Sequence, residues 1–206
     1  MKVAVLGGTG DFGLALAKRL VVSGDDVVVG SRDARRANDA AAQVGARGAT
    51  NEDAVHDADL VVLAVKAEAA LPTAQSLADA IGDRPLLSVA SELRVTRQGV
   101  FPCDDERSIA ERTQALVSGP VVAGLHSLAA SNLGGDEAPD QDALVCGDDT
   151  AAKALALELA GKVVAGRALD AGPLASARAL EGLTAVIVNL NRRYKAHAGV
   201  RITGVA

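Results

Sequence analysis

The stretch Gly7-Gly8-Thr9-Gly10-Asp11-Phe12-Gly13, set directly after the β-branched run at residues 2–6, constrains this chain more than any other feature. Its glycines follow the spacing G-x-G-x-x-G (Gly8, Gly10, Gly13) between a predicted strand and a predicted helix. Each glycine answers a separate steric demand. Gly8 permits the tight turn, Gly10 lets a pyrophosphate approach the backbone, and Gly13 lets helix and strand pack closely. Free N–H groups at the start of the helix then face the phosphates. A chain that begins this way is predicted to open a parallel α/β sheet and to bind a dinucleotide.

The rest of the sequence continues the pattern. Apolar runs of strand length fall at 2–6, 26–30, 60–64, 86–89, 121–125 and 143–146, with an edge strand expected at 163–170. Between them lie segments of helical period: 12–23, a helix capped by Asp33 and running to about 44, a short helix after Asn51, then 71–81 and 108–116. A helix capped by Asp149 or Thr150 runs to about 159, and the longest spans about 174 to 196. Residues 132–142 read as a polar, glycine-rich loop. Such alternation predicts an α/β fold, a Rossmann-type parallel sheet with helices on both faces and a small C-terminal helical extension. The 206 residues suffice for one such unit and no second full domain.

The tip of the second strand reports which dinucleotide. An NAD site carries an acid about 20 residues past the glycines to hold the ribose 2′-hydroxyl. Here the sequence reads Gly30-Ser31-Arg32-Asp33-Ala34-Arg35-Arg36. A hydroxyl and one or two guanidinium groups suit a 2′-phosphate, which Arg grips through paired hydrogen bonds. Asp33 could in principle take the NAD role, but its position suits a helix N-cap, so the reading favours NADP.

Composition narrows the remaining classes. The charge sum of −5 and the three aromatics, Phe12, Phe101 and Tyr194, leave no basic surface and no stacking platform for nucleic acid, and no attraction to an anionic membrane. No apolar run approaches the ~20 residues of a membrane span, and no basic leader precedes the first strand. Cys103 and Cys146 stand apart, without disulfide or metal spacing, so a cytoplasmic chain without a metal site is expected. Catalytic motifs are absent: no G-x-S-x-G, no Cys/His pair, and of His56, His126 and His197 only His126 follows a strand's carboxyl end. A reaction needing little help from protein acids or bases fits that poverty.

At this point the residues carry a family resemblance. Residues 3–11, Val29-Gly30-Ser31-Arg32, Cys146-Gly147-Asp148-Asp149, residues 170–174, Glu181-Gly182-Leu183-Thr184 and the tail 191–199 resemble, in matching order, the NADPH-dependent F420 reductases. The resemblance implies hydride transfer between C4 of NADP(H) and C5 of the 5-deazaflavin coenzyme F420, in a homodimer, with no catalytic side chain. It implies that Thr9, Gly10, Asp11 and Phe12, with Ser31, Arg32 and Arg36, hold NADP. Val65 and Ala130 would lie along the nicotinamide half and Ala198 near its carboxamide. His126, Leu128 and Thr184 match positions lining the deazaflavin. Residues 1–170 would form the NADP-binding Rossmann domain, and 171–206 a helix and tail completing the substrate site. Lys66-Ala67-Glu68 and the polar stretch 88–93 depart from the apolar, proline-bearing segments of that family. Related scaffolds serve other acceptors, so two alternatives stand beside this reading: an NADP-dependent reductase of a flavin or ferric iron, and a non-enzymatic NADP-binding sensor.

Overall fold

In the computed structural model, which describes residues 1–205, the chain opens as predicted with β1 (Lys2–Leu6), α1 (Asp11–Val22), β2 (Asp26–Ser31) and α2 (Ala34–Ala42). It continues through β3 (Arg47–Thr50), α3 (Asn51–Ala54), β4 (Leu60–Leu63), α4 (Ala67–Ser76), α5 (Ala78–Ile81) and β5 (Leu86–Ser88). A hairpin follows, β6 (Leu93–Thr96) with β7 (Gly99–Pro102), then α6 (Ile109–Gln114), β8 (Val121–Gly124), α7 (Ala130–Leu133), β9 (Ala143–Gly147), α8 (Thr150–Val163) and β10 (Ala168–Asp170). A 3-10 turn at Leu174–Ser176 leads into α9 (Ala177–Tyr194).

One sheet of eight strands has the order β10-β9-β8-β5-β4-β1-β2-β3. From β1 the chain builds outward to β2 and β3, then crosses back to β4 on the other side of β1. That reversal opens a crevice at the carboxyl ends of β1 and β4, where open α/β sheets bind ligands. Helices cover both faces. Leu16 and Leu20 of α1 pack with Leu159 and Val163 of α8 on one side. Ala70 and Ala74 of α4, Ile109 of α6 and Leu180 of α9 pack on the other.

The sheet is parallel from β3 to β8, but β9 runs antiparallel to β8 and carries β10 with it. The parallel sheet expected of the sequence is present from β3 to β8, and the departure is confined to β9 and β10. The chain returns from β8 to β9 through the loop at that same end, without a crossover, and such a return is necessarily antiparallel. The edge strand is only Ala168–Asp170, because α8 extends to Val163 and buries Leu159, Ala160 and Val163 in the core. The helix expected at 71–81 starts at Ala67 and breaks after Ser76; Pro72 lies inside α4 with its ring exposed. The β6–β7 hairpin and β3 were not anticipated, being too short to set a period. Among the described residues, no helix is long and apolar enough to cross a membrane.

Candidate functional site

The glycine turn is built as a cradle. Gly7 has φ +75°, and a Cβ there would meet Val65 Cγ1 at 2.5 Å, so Val65 lies directly over the turn. A Cβ on Gly13 would lie 2.7 Å from Gly8 Cα, which makes glycine obligatory at that helix–strand contact. Gly10 differs: its φ is −85°, and an added Cβ would find only Gly7 O, at 3.4 Å. The space above it is open. Gly10 also caps α1 without a side-chain hydrogen bond, leaving first-turn N–H groups free for an anion. A pyrophosphate fits this arrangement.

Next to the cradle, a cavity of about 470 Å³ brings together Gly7, Thr9, Gly10, Ser31, Arg32, Arg36 and Val65. Lys66 and Glu68, the departure from the family pattern, stand on its far wall at the start of α4. Asp33 lines the same cavity as the cap of α2. Its Oδ1 accepts from the N–H groups of Arg35 (2.8 Å) and Arg36 (3.3 Å). One oxygen of the acid an NAD site would use is therefore engaged by the backbone of α2.

Ala130 and Ala198 lie outside that cavity's lining, and the structure shows what sets them in place. Arg19, on the face of α1, donates from Nε to Leu133 O (2.7 Å) and from Nη2 to Gly135 O (2.6 Å), fixing the end of α7. The loop read as irregular is thus tied to the fingerprint helix. The tail folds back onto α7: Asn132 Nδ2 donates to His197 O (3.4 Å), and Asn191 Oδ1 accepts from the N–H of Ala198 (2.6 Å). Asp142 anchors it further on. That buried carboxylate accepts from Arg167 Nη2 and from the N–H of Ile202, both at 2.8 Å, and these donors hold it well below the usual carboxylate range.

The second-substrate candidates meet where α9 crosses the loops after β5 and β8. Thr184 Oγ1 donates to His126 O (2.9 Å) and lies 2.8 Å from Ser91 Oγ. Leu125 takes the left-handed conformation (φ 64°), strain of order 1 kcal/mol or more that marks the turn leading to His126. His126 is buried, with neither ring nitrogen bonded to protein, beside Ser127, Leu144, Leu180 and Leu183. Burial pushes its pKa down to about 4, so the ring is neutral at pH 7. Leu128 packs into the core with Leu125 and Leu133. Asn189 clamps the hairpin to α9: Oδ1 accepts from the N–H of Val100 (2.8 Å) and Nδ2 donates to Val100 O (2.7 Å). Among the described residues, no three His, Cys, Asp or Glu side chains are placed to hold a metal.

Glu181 belongs to a block that carries the family resemblance, but the sequence gives it no role of its own. It is 1% exposed, and Oε1 accepts from the N–H of Ile109 (2.8 Å), joining α9 to α6. The available signal was an acid at four-residue spacing between the buried Ala177 and Ala185. Burial raises its pKa to about 7, against weaker opposing pulls from backbone N–H groups and Arg112. The fold therefore favours the protonated acid. The stability this gives is complete below about pH 4.5 and is lost as pH rises towards 7. Thermal melts should show wild type losing up to about 3 kcal/mol relative to Glu181→Gln across that window. A difference that does not change with pH would contradict the assignment.

A family profile described as "NADP oxidoreductase coenzyme F420-dependent" matches residues 2–92. An F420-dependent NADP reductase from Methanothermobacter thermautotrophicus is 39% identical over 100% of this chain and 96% of its own length. A crystal structure from Arthrobacter sp. FB24, described as a candidate F420-dependent NADP-reductase, superposes with a TM-score of 0.86 at 25% identity, covering 98% of this chain and 99% of that one. The metalloreductase STEAP3 of Rattus norvegicus is 33% identical over 88% of this chain, which spans 36% of that protein.

Proposed function

Since the chain belongs to the F420-dependent NADP oxidoreductase family, we propose how its residues divide the work of that reaction. The enzyme transfers a hydride between NADP(H) and coenzyme F420. The two carriers supply the chemistry, a hydride passing between nicotinamide C4 and deazaflavin C5 with a proton exchanged with solvent. The open approach over Gly10 is the observation that carries the nucleotide half of the reading.

The protein's part is binding, orientation and exclusion of water. Gly8, Thr9, Gly10, Asp11, Phe12 and Gly13 present the turn and the first-turn N–H groups to the pyrophosphate. Ser31, Arg32 and Arg36 take the 2′-phosphate. Val65, seated on Gly7, faces the nicotinamide half, with Ala130 and Ala198 completing that side through Arg19 and Asn191. His126, Leu128 and Thr184 form the deazaflavin side, with the neutral His126 ring buried behind it. Residues 1–170 serve as the nucleotide-binding part, and 171–206 complete the second site through Thr184 and the tail. No side chain is assigned a catalytic proton.

Two coarser attributes belong to the same reading. Val186, Leu190 and Tyr194 are exposed (53%, 40% and 68%) at four-residue spacing along α9, a stripe suited to pairing two copies as a homodimer. A cytoplasmic setting agrees with two free thiols, Cys103 and Cys146.

The test is steady-state turnover with purified F420. NADPH should support rapid reduction of F420 and NADH should be at least about 10-fold less efficient, because charge-assisted bonds to the 2′-phosphate are lost. A protein that reduces free flavin or ferric iron with NADPH and leaves F420 untouched would refute the assignment.

A further inference from the structure

Asn51 stands where the nucleotide cavity continues into a second one. Ser31 of β2 and Thr50 of β3 are partners in register, so Arg32 and Asn51 each follow a paired residue at the carboxyl edge of the sheet. The first cavity, of about 470 Å³, and a second of about 480 Å³ share Ser31, Arg32, Asn51, Ala69 and Thr73. Pro72, Ser76 and Leu77 extend the second along α4.

The Asn51 side chain is out of keeping with a purely structural residue. The residue is 9% exposed, and its Oδ1 is fully buried without a hydrogen-bond partner. An unsatisfied buried amide group is costly, and native folds rarely keep one without a use. Its seat is specific: a Cβ on Gly30 would lie 2.8 Å from Asn51 Oδ1, so the glycine before Ser31-Arg32 leaves the room this amide fills.

We infer that Asn51 is a hydrogen-bonding residue for the 2′-phosphoadenosine end of NADP(H), which makes it a determinant of nucleotide affinity. The inference rests on the NADP reading above. The chemistry favours that end of the molecule. The second cavity has aliphatic walls at Ala69, Pro72 and Leu77, hydroxyls at Thr50, Thr73 and Ser76 and one carboxylate, Glu52, a setting for the uncharged heteroaromatic base rather than for a phosphate. Arg32 stands at the junction of the two cavities, and a planar guanidinium both stacks on a base and pairs with a phosphate. With Oδ1 turned inward against Gly30, the Nδ2–H groups of the carboxamide are the donors left for acceptor atoms of the base, its ribose or the phosphate.

The experiment is calorimetric titration of the intact protein with 2′,5′-ADP, the isolated phosphoadenosine fragment, alongside thermal melts. Asn51→Ala should weaken 2′,5′-ADP binding about 5- to 20-fold, and Asn51→Leu, of similar size without polar atoms, should do the same. The melting temperature of each should stay at or above that of wild type, since no protein hydrogen bond is removed. Unchanged affinity in both variants would overturn the inference, as would a loss of affinity that tracks a loss of stability. Failure of wild type itself to bind 2′,5′-ADP would instead overturn the NADP reading on which the inference stands.

Discussion

Gly10→Val should abolish NADPH binding, with a loss of about 100-fold or more, and leave the melting temperature nearly unchanged. Several charge-assisted hydrogen bonds from the turn to the pyrophosphate depend on backbone approach at this position, and a branched side chain would occupy that space. The fold has no objection to the valine. Gly10 already has extended dihedrals, and its Cβ would meet nothing nearer than 3.4 Å. Gly13→Ala supplies the contrast. Its Cβ would clash with Gly8 Cα at 2.7 Å, so it should cost about 1–3 kcal/mol of stability along with binding. Calorimetry and thermal melts on the pair separate a ligand cradle from a structural turn. Normal NADPH affinity in Gly10→Val would leave the fingerprint with a purely structural purpose.

The second large effect is predicted at Arg32. It is exposed on the rim shared by both cavities, one residue past Ser31. Removing one charge-assisted contact to the 2′-phosphate costs about 1.5–3 kcal/mol, so Arg32→Ala should weaken NADPH about 10- to 100-fold and leave NADH nearly flat. The capping bonds of Asp33 support this expectation, because they engage its Oδ1 at the N-terminus of α2. Equal losses for NADPH and NADH would remove the 2′-phosphate from Arg32.

The features legible in the sequence are those set by local sterics. The glycine turn, the Ser31-Arg32 tip, the Asp33 and Asp149 caps, and the long α9 all depend on residues within one turn or one strand. What stayed hidden is encoded across distance. Strand direction leaves no mark on a run such as 143–147, because parallel and antiparallel neighbours ask for the same apolar residues. Arg19 read as one more charge on a helix, yet it caps α7 from more than 100 residues away. Asp142 and Arg167, which together tether the tail at Ile202, lie 25 residues apart and follow no motif. Asn51 and Glu181 belong to the same group, polar residues whose burial depends on which elements meet around them. In the candidate site, therefore, the nucleotide half was readable as a motif. The second half depends on α9 reaching back to Ser91 and His126, and only a family resemblance pointed there.

Direct hydride transfer between two bound carriers, with no protein group as intermediary, can be followed in a single turnover with NADPH deuterated at the transferring C4 position and mass analysis of the reduced F420. Deuterium should be retained at C5 of the deazaflavin, with no exchange into solvent. Solvent hydrogen at C5 would contradict it, because an exchanging group on the protein would then have to lie between the two carriers.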